Sequence, residues 1–139
     1  MTGYADTDLF GPSNELTRAE FVTVLHRIVD PEAAGVDFTT AKNETGVEFQ
    51  PNTPVDRQTM CVILSRYLKA ENPSMDKLNS MPDADGVADW AIDGVAWALN
   101  EGVISGVGVD GTRYIQADTI LSRAMAAQVI ANSCYNDLL

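Results

Sequence analysis

The chain has 139 residues, 45% hydrophobic and 21% charged, the composition of one folded domain and not of a disordered segment. Nine basic residues against twenty acidic ones give a net charge of −11, which excludes general nucleic-acid binding and docking on anionic lipid. No apolar run could cross a bilayer, two cysteines are too few for a disulfide scaffold or a zinc site, and a single histidine leaves triad and metal catalysis poorly supplied.

The first residues, Met1-Thr2-Gly3-Tyr4-Ala5-Asp6, show neither the basic nor the apolar region of a signal peptide. This fits a cytosolic chain or a fragment of a longer precursor equally. The first predicted element follows Phe10-Gly11-Pro12-Ser13-Asn14-Glu15-Leu16. Thr17 is a good N-cap, and Glu20 three residues later completes a capping box. Phe21, Val24, Leu25 and Ile28 then form one apolar helical face. Residues 31–48 have no sustained helical period and read as loop; the Asn43-Glu44-Thr45 sequon there carries little weight.

A second start follows Phe49-Gln50-Pro51-Asn52-Thr53-Pro54-Val55, with Asp56 as cap and Met60, Ile63, Leu64 and Tyr67 as the apolar face. Residues 71–80 read as a linker, with a short turn near Ser74 to Leu78. Asp89 is expected to cap a helix through Asn100, with Ile92, Val95, Ala96 and Leu99 on its face. Gly94 weakens that helix by about 1 kcal/mol relative to alanine, and Gly102 stands where a left-handed cap would close it. A glycine-rich connection, 103–111, leads to a third start, Ile115-Gln116-Ala117-Asp118-Thr119-Ile120-Leu121. Ser122 caps this last helix, whose face is Ala126, Val129, Ile130 and Ser133.

The three starts are alike. Leu16, Val55 and Leu121 precede the caps and are placed to staple Phe21, Met60 and Ala126. Arg18, Arg57 and Arg123 follow them. Self-similarity of this kind is the signature of repeat architectures. The expected fold is an all-α, pseudo-threefold bundle of helix-loop-helix repeats, with any strand confined to short pairings between loops. The expected organisation is one domain over 1–139: a partial repeat at 1–30, a partial repeat at 31–70, the linker, and a complete repeat at 81–139.

These residues resemble the S-layer homology family. Leu16-Thr17-Arg18-Ala19-Glu20-Phe21 is close to the family's helix-opening signature. In the third unit Asp83, Trp90-Ala91-Ile92, Gly102-Val103-Ile104-Ser105-Gly106 and Leu121-Ser122-Arg123-Ala124 follow the pattern in order. Ile115 and Ala117 stand where the family has Phe and Pro, and Gln58-Thr59 where it has Ala-Glu. The resemblance implies a non-catalytic module, usually one of three in tandem, that binds pyruvylated cell-wall polysaccharide in grooves between repeats. It implies a place on the cell wall or cell surface, as part of a larger secreted protein.

On that reading the glycan-binding candidates are Arg18, Glu20, Arg57, Asp83, Trp90, Gly106 and Arg123. The arginines suit a carboxylate through the guanidinium fork, with helix-start amides assisting; bracing of a neighbouring repeat is their structural alternative. Trp90 is expected at a groove edge, partly buried, and Trp97 in the core. Asp83-Ala84-Asp85-Gly86 with Asp89 does not satisfy a calcium loop, because Gly94 stands at position twelve. Gly106, Gly108 and Gly111 read as a turn, not a phosphate fingerprint. His26 reads as a surface or interface residue, and Cys61 and Cys134 as two buried thiols, with a disulfide open in an oxidising compartment.

The expected function is therefore attachment of a larger surface protein to cell-wall polysaccharide, with no enzyme activity, cofactor, metal, nucleic acid or membrane insertion. The second expectation is a degenerate module acting as spacer or oligomerisation interface, self-associating through its incomplete repeats.

Overall fold

The computed structural model describes residues 11–32 and 50–139. Expectations placed on residues 1–10 and 33–49, including the sequon, lie outside the described residues. In chain order α1 is Arg18–Val29, α2 Arg57–Tyr67, α3 Asp76–Asn79, α4 Ile92–Asn100 and α5 Arg123–Tyr135. Strands β1, Val107–Val109, and β2, Thr112–Tyr114, lie between α4 and α5.

The three long helices start as their sequences dictate. Thr17 accepts the amide of Glu20, whose carboxylate accepts the Thr17 amide in return, so the capping box is complete. Asp56 accepts from the Thr59 amide at 2.8 Å, and Ser122 from the Met125 amide at 3.2 Å. The residue before each cap and its staple partner are buried in all three copies.

Those starts meet in a closed ring of backbone bonds. The Val55 amide donates to the Leu16 carbonyl at 2.9 Å, Leu121 to Val55 at 2.9 Å, and Leu16 to Leu121 at 3.0 Å. One step on, the amides of Arg18, Arg57 and Arg123 donate to the carbonyls of Thr53, Thr119 and Asn14. The next amides, of Ala19, Gln58 and Ala124, donate to Pro51, Ala117 and Pro12. Free first-turn amides are the usual liability of a helix end. Here each helix has them satisfied by the segment leading into the next one.

Below the ring lies one core, formed by Leu16, Phe21, Leu25, Val55, Met60, Leu64, Val95, Val103, Ile115 and Leu121 among others. α4 is buried almost all round, as its apolar composition requires, because it is packed between α2 and α3. Trp97 enters the core as expected.

Four expectations are corrected. The protein is not all-α: β1 and β2 form an antiparallel two-stranded sheet, Val107 opposite Tyr114 and Val109 opposite Thr112. The reason is local, since Asp110 and Gly111 both take positive φ, 49° and 81°, which a two-residue hairpin turn of matching twist needs. Nor do the long helices form a pseudo-threefold bundle of helix-loop-helix units. Their mutual contacts are sparse; the main helix–helix contact is α2 with α4, and what joins the starts is backbone. Asp89 does not cap α4: it opens a 3₁₀ turn, Asp89–Ala91, and α4 begins behind Ala91 with no side-chain cap. Cys134 is exposed, not buried, and both thiols are free.

Candidate functional site

Arg57 sits at the first turn of α2 with 7% of its surface exposed. Its Nε donates to the Ile115 carbonyl at 2.9 Å. Burial pulls its pKa below the ordinary value, while Cys61 and Asp83 act in the opposite direction. Asp83 grips the same segment from the other side: its two oxygens accept the amides of Ile115 and Gln116, each at 2.8 Å. Arg57 and Asp83 therefore converge on the approach to α5. Gln58 adds a third tie, its side-chain carbonyl accepting the Ala88 amide at 3.0 Å.

Beside Arg57 an open groove of about 170 Å³ runs between the glycine-rich connection and α5. Val103 to Gly106 form one wall, and Met125, Gln128, Val129 and Asn132 the other. Gly106 has φ 86°, a left-handed conformation that favours glycine, and a Cβ there would lie 3.2 Å from the Tyr114 carbonyl oxygen. Asn132 donates to the Val103 carbonyl at 3.2 Å, which fixes the wall of α5 against the connection. Arg57 and Gly106 are thus two expected residues that the structure brings to one groove, with Asp83 bound to the same segment as Arg57.

The other candidates lie elsewhere. Arg123 is buried and forms an ion pair with Glu20 at 3.9 Å, joining the start of α5 to the start of α1. Arg18 is half-buried at the start of α1. The helix-start amides expected to help an arginine hold a carboxylate are engaged in the backbone ring. Trp90 is 57% exposed, more than expected, and lines a different cleft, formed with Val62, Ser65, Arg66, Ala70, Asp93 and Gly94.

Gln128, Asn132, Arg66 and Asp93 were not legible as site residues. Each lies far along the chain from its neighbours across the clefts, and no spacing rule links them. Among the described residues no group of three or more His, Cys, Asp or Glu side chains could hold a metal ion, and no helix is long and apolar enough to cross a membrane.

A comparison with curated proteins finds no match. Among solved structures the chain is similar to the undecaheme cytochrome from the S-layer of Carboxydothermus ferrireducens, with a TM-score of 0.60 and 17% identity. The similarity covers 88% of this chain but 18% of that one, and at this identity it concerns the fold. Residues 80–124, from the end of α3 to the first turn of α5, match the model of the S-layer homology domain, a match that supports anchoring at the cell surface.

Proposed function

We propose that the protein binds cell-wall polysaccharide without chemical turnover, and so holds a larger protein on a bacterial envelope, within one domain that spans the chain. The observation that carries this is the groove beside Arg57. A guanidinium has five N–H donors, and the one bond seen here, to Ile115, uses Nε alone. The rest of the group borders a groove whose walls carry the side-chain amides of Gln128 and Asn132, the first donating to the second at 2.8 Å, and the backbone at Gly106. A fixed, planar cation flanked by amide side chains suits a sugar acid such as a pyruvylated glycan. Net charge of −11 repels such a polymer at long range, so recognition must be local and sensitive to shape. Asp83 holds the approach to α5 beside Arg57, and the Glu20–Arg123 pair, outside the groove, joins the starts of α1 and α5.

The test is co-sedimentation with purified cell walls before and after extraction of their polysaccharide. Binding is expected to disappear on extraction and to weaken in Gln128→Trp, which fills the groove from an exposed helical position. Undiminished binding to extracted walls overturns the proposal.

One observation favours a second reading, a spacer or self-associating module. α2 is covered by α4, but the outer side of α5 carries exposed Ala124, Gln128 and Ala131, with Tyr135 90% exposed at its end. Size-exclusion at several concentrations checks it, since self-association predicts elution that shifts with concentration.

A further inference from the structure

We propose that the cleft between α2 and the start of α4 is a second, separate saccharide site, in which Trp90 stacks on a pyranose ring and Arg66 and Asp93 bind its polar edge. This deepens the polysaccharide-binding reading and rests on it.

The cleft is built by two helical triplets at the same spacing. Val62, Ser65 and Arg66 come from α2; Trp90, Asp93 and Gly94 come from the turn and helix facing it. Residues three and four apart share a helix face, so each triplet presents one side to the other. The helices touch at the floor of the cleft, where the Cβ position of Gly94 is 3.0 Å from the Val62 backbone. The cleft above that contact holds about 220 Å³. This is smaller than the roughly 300–1,000 Å³ of an enclosed small-molecule pocket, and it suits one ring lying against an open wall.

The side chains around it are uncommitted. Among the described residues no hydrogen bond or ion pair engages the Arg66 or Asp93 side chain. By contrast, Arg57, Arg123, Glu20 and Asp83 are all tied to other parts of the fold. Ser65 is spent on the Val62 carbonyl. A single exposed aromatic residue means little by itself. Trp90 differs because it borders the cleft with Arg66 and Asp93 and its backbone is fixed by the turn. It lies inside a 3₁₀ turn whose next residue, Ala91, is fully buried and donates to the Ala88 carbonyl at 2.8 Å. The indole has a fork of donors and a carboxylate acceptor beside it in the lining of the cleft. An apolar ring face bordered by both donor and acceptor groups matches a hexopyranose, whose axial C–H groups stack while its hydroxyls both donate and accept.

The two tryptophans give the readout. Trp97 is 8% exposed and reports the core, so a ligand-induced change in emission belongs to Trp90. The probe is the soluble oligosaccharide released by mild acid from purified cell walls, titrated into the whole chain. A blue shift on binding is expected in the wild type. In Trp90→Ala the shift is absent and affinity falls about tenfold; in Arg66→Gln the shift persists and affinity falls several-fold. Retained Trp97 emission and far-UV circular dichroism show that both variants are folded. Wild-type binding without a shift, together with unchanged affinity in Trp90→Ala, overturns this site and leaves the polysaccharide-binding reading standing. No wild-type binding to either oligosaccharide or walls overturns both.

Discussion

Arg57 and Ile115 are joined by a buried side-chain-to-backbone bond of 2.9 Å across 58 residues of sequence. The amide of the same Ile115 is held by Asp83 at 2.8 Å, so both polar groups of one peptide position are claimed by charged side chains. A cation from the start of α2 and an anion from the turn before α4 together fix the path into α5. Arg57→Ala removes one of these partners and leaves a buried carbonyl without it, at a cost of about 2 kcal/mol in urea unfolding. Arg57→Lys keeps the charge and loses the planar fork, so it recovers only part of the stability.

Asp83→Ala strips the acceptor from two amides and is expected to cost about 2–4 kcal/mol. Asp83→Asn retains one oxygen acceptor and should fall between. Gln116 takes φ 52° there, a conformation that a residue with a Cβ adopts at a cost. Gln116→Gly should therefore be neutral or stabilising by a few tenths of a kcal/mol to about 1 kcal/mol. Thermal unfolding of the three variants checks the order.

The N-caps give a graded series. Thr17→Ala, Asp56→Ala and Ser122→Ala each remove an acceptor from a first-turn amide and should each cost about 1 kcal/mol. Thr17→Ala should cost most, because it dismantles a reciprocal box in which Glu20 also takes part. Equilibrium denaturation measures all three.

The two thiols should differ sharply. Cys134 is exposed and Cys61 is buried, so a thiol reagent should label one cysteine in the native protein and two in denaturant. Burial pushes the Cys61 pKa up to about 12, with Arg57 opposing and Asp56 reinforcing the shift. Between the ordinary value of 9.0 and about 12 the unfolded chain releases this proton while the folded chain keeps it. Stability contributed by the neutral thiol is full below that window and falls as pH rises through it, by at most about 1.4 kcal/mol per pH unit. Cys61→Ala should lose this slope, and the difference between the two pH profiles measures it.

Gly94→Ala should destabilise the domain by about 1–3 kcal/mol, although alanine is the better helix former. The added methyl would meet backbone atoms of Val62 at 3.0 Å, which cannot rotate away. A loss of stability by urea titration is the expected result; a gain would show that α4 can move off α2.

The chemistry of the helix starts was open to inspection in the chain itself. Thr17, Asp56 and Ser122 cap because a short polar side chain reaches only a nearby amide, and such local bonds follow from spacing alone. The Asp110-Gly111 pair between alternating residues also carried a hairpin signal, which the all-α expectation, resting on the three helix starts, passed over. Asp89 looked like a cap, but it opens a 3₁₀ turn whose last residue, Ala91, is fully buried in the core. The division of the expected site was decided by the tertiary fold. Arg57 and Gly106 meet in one groove, Trp90 faces another, and Arg123 pairs with Glu20. Sequence alone determined what each segment would do over a few residues, because capping, turn geometry and helical faces act at short range. Only the assembled fold decided which arginine was buried, which tryptophan was left in solvent and which clefts opened, because those depend on groups that the chain brings together from far apart.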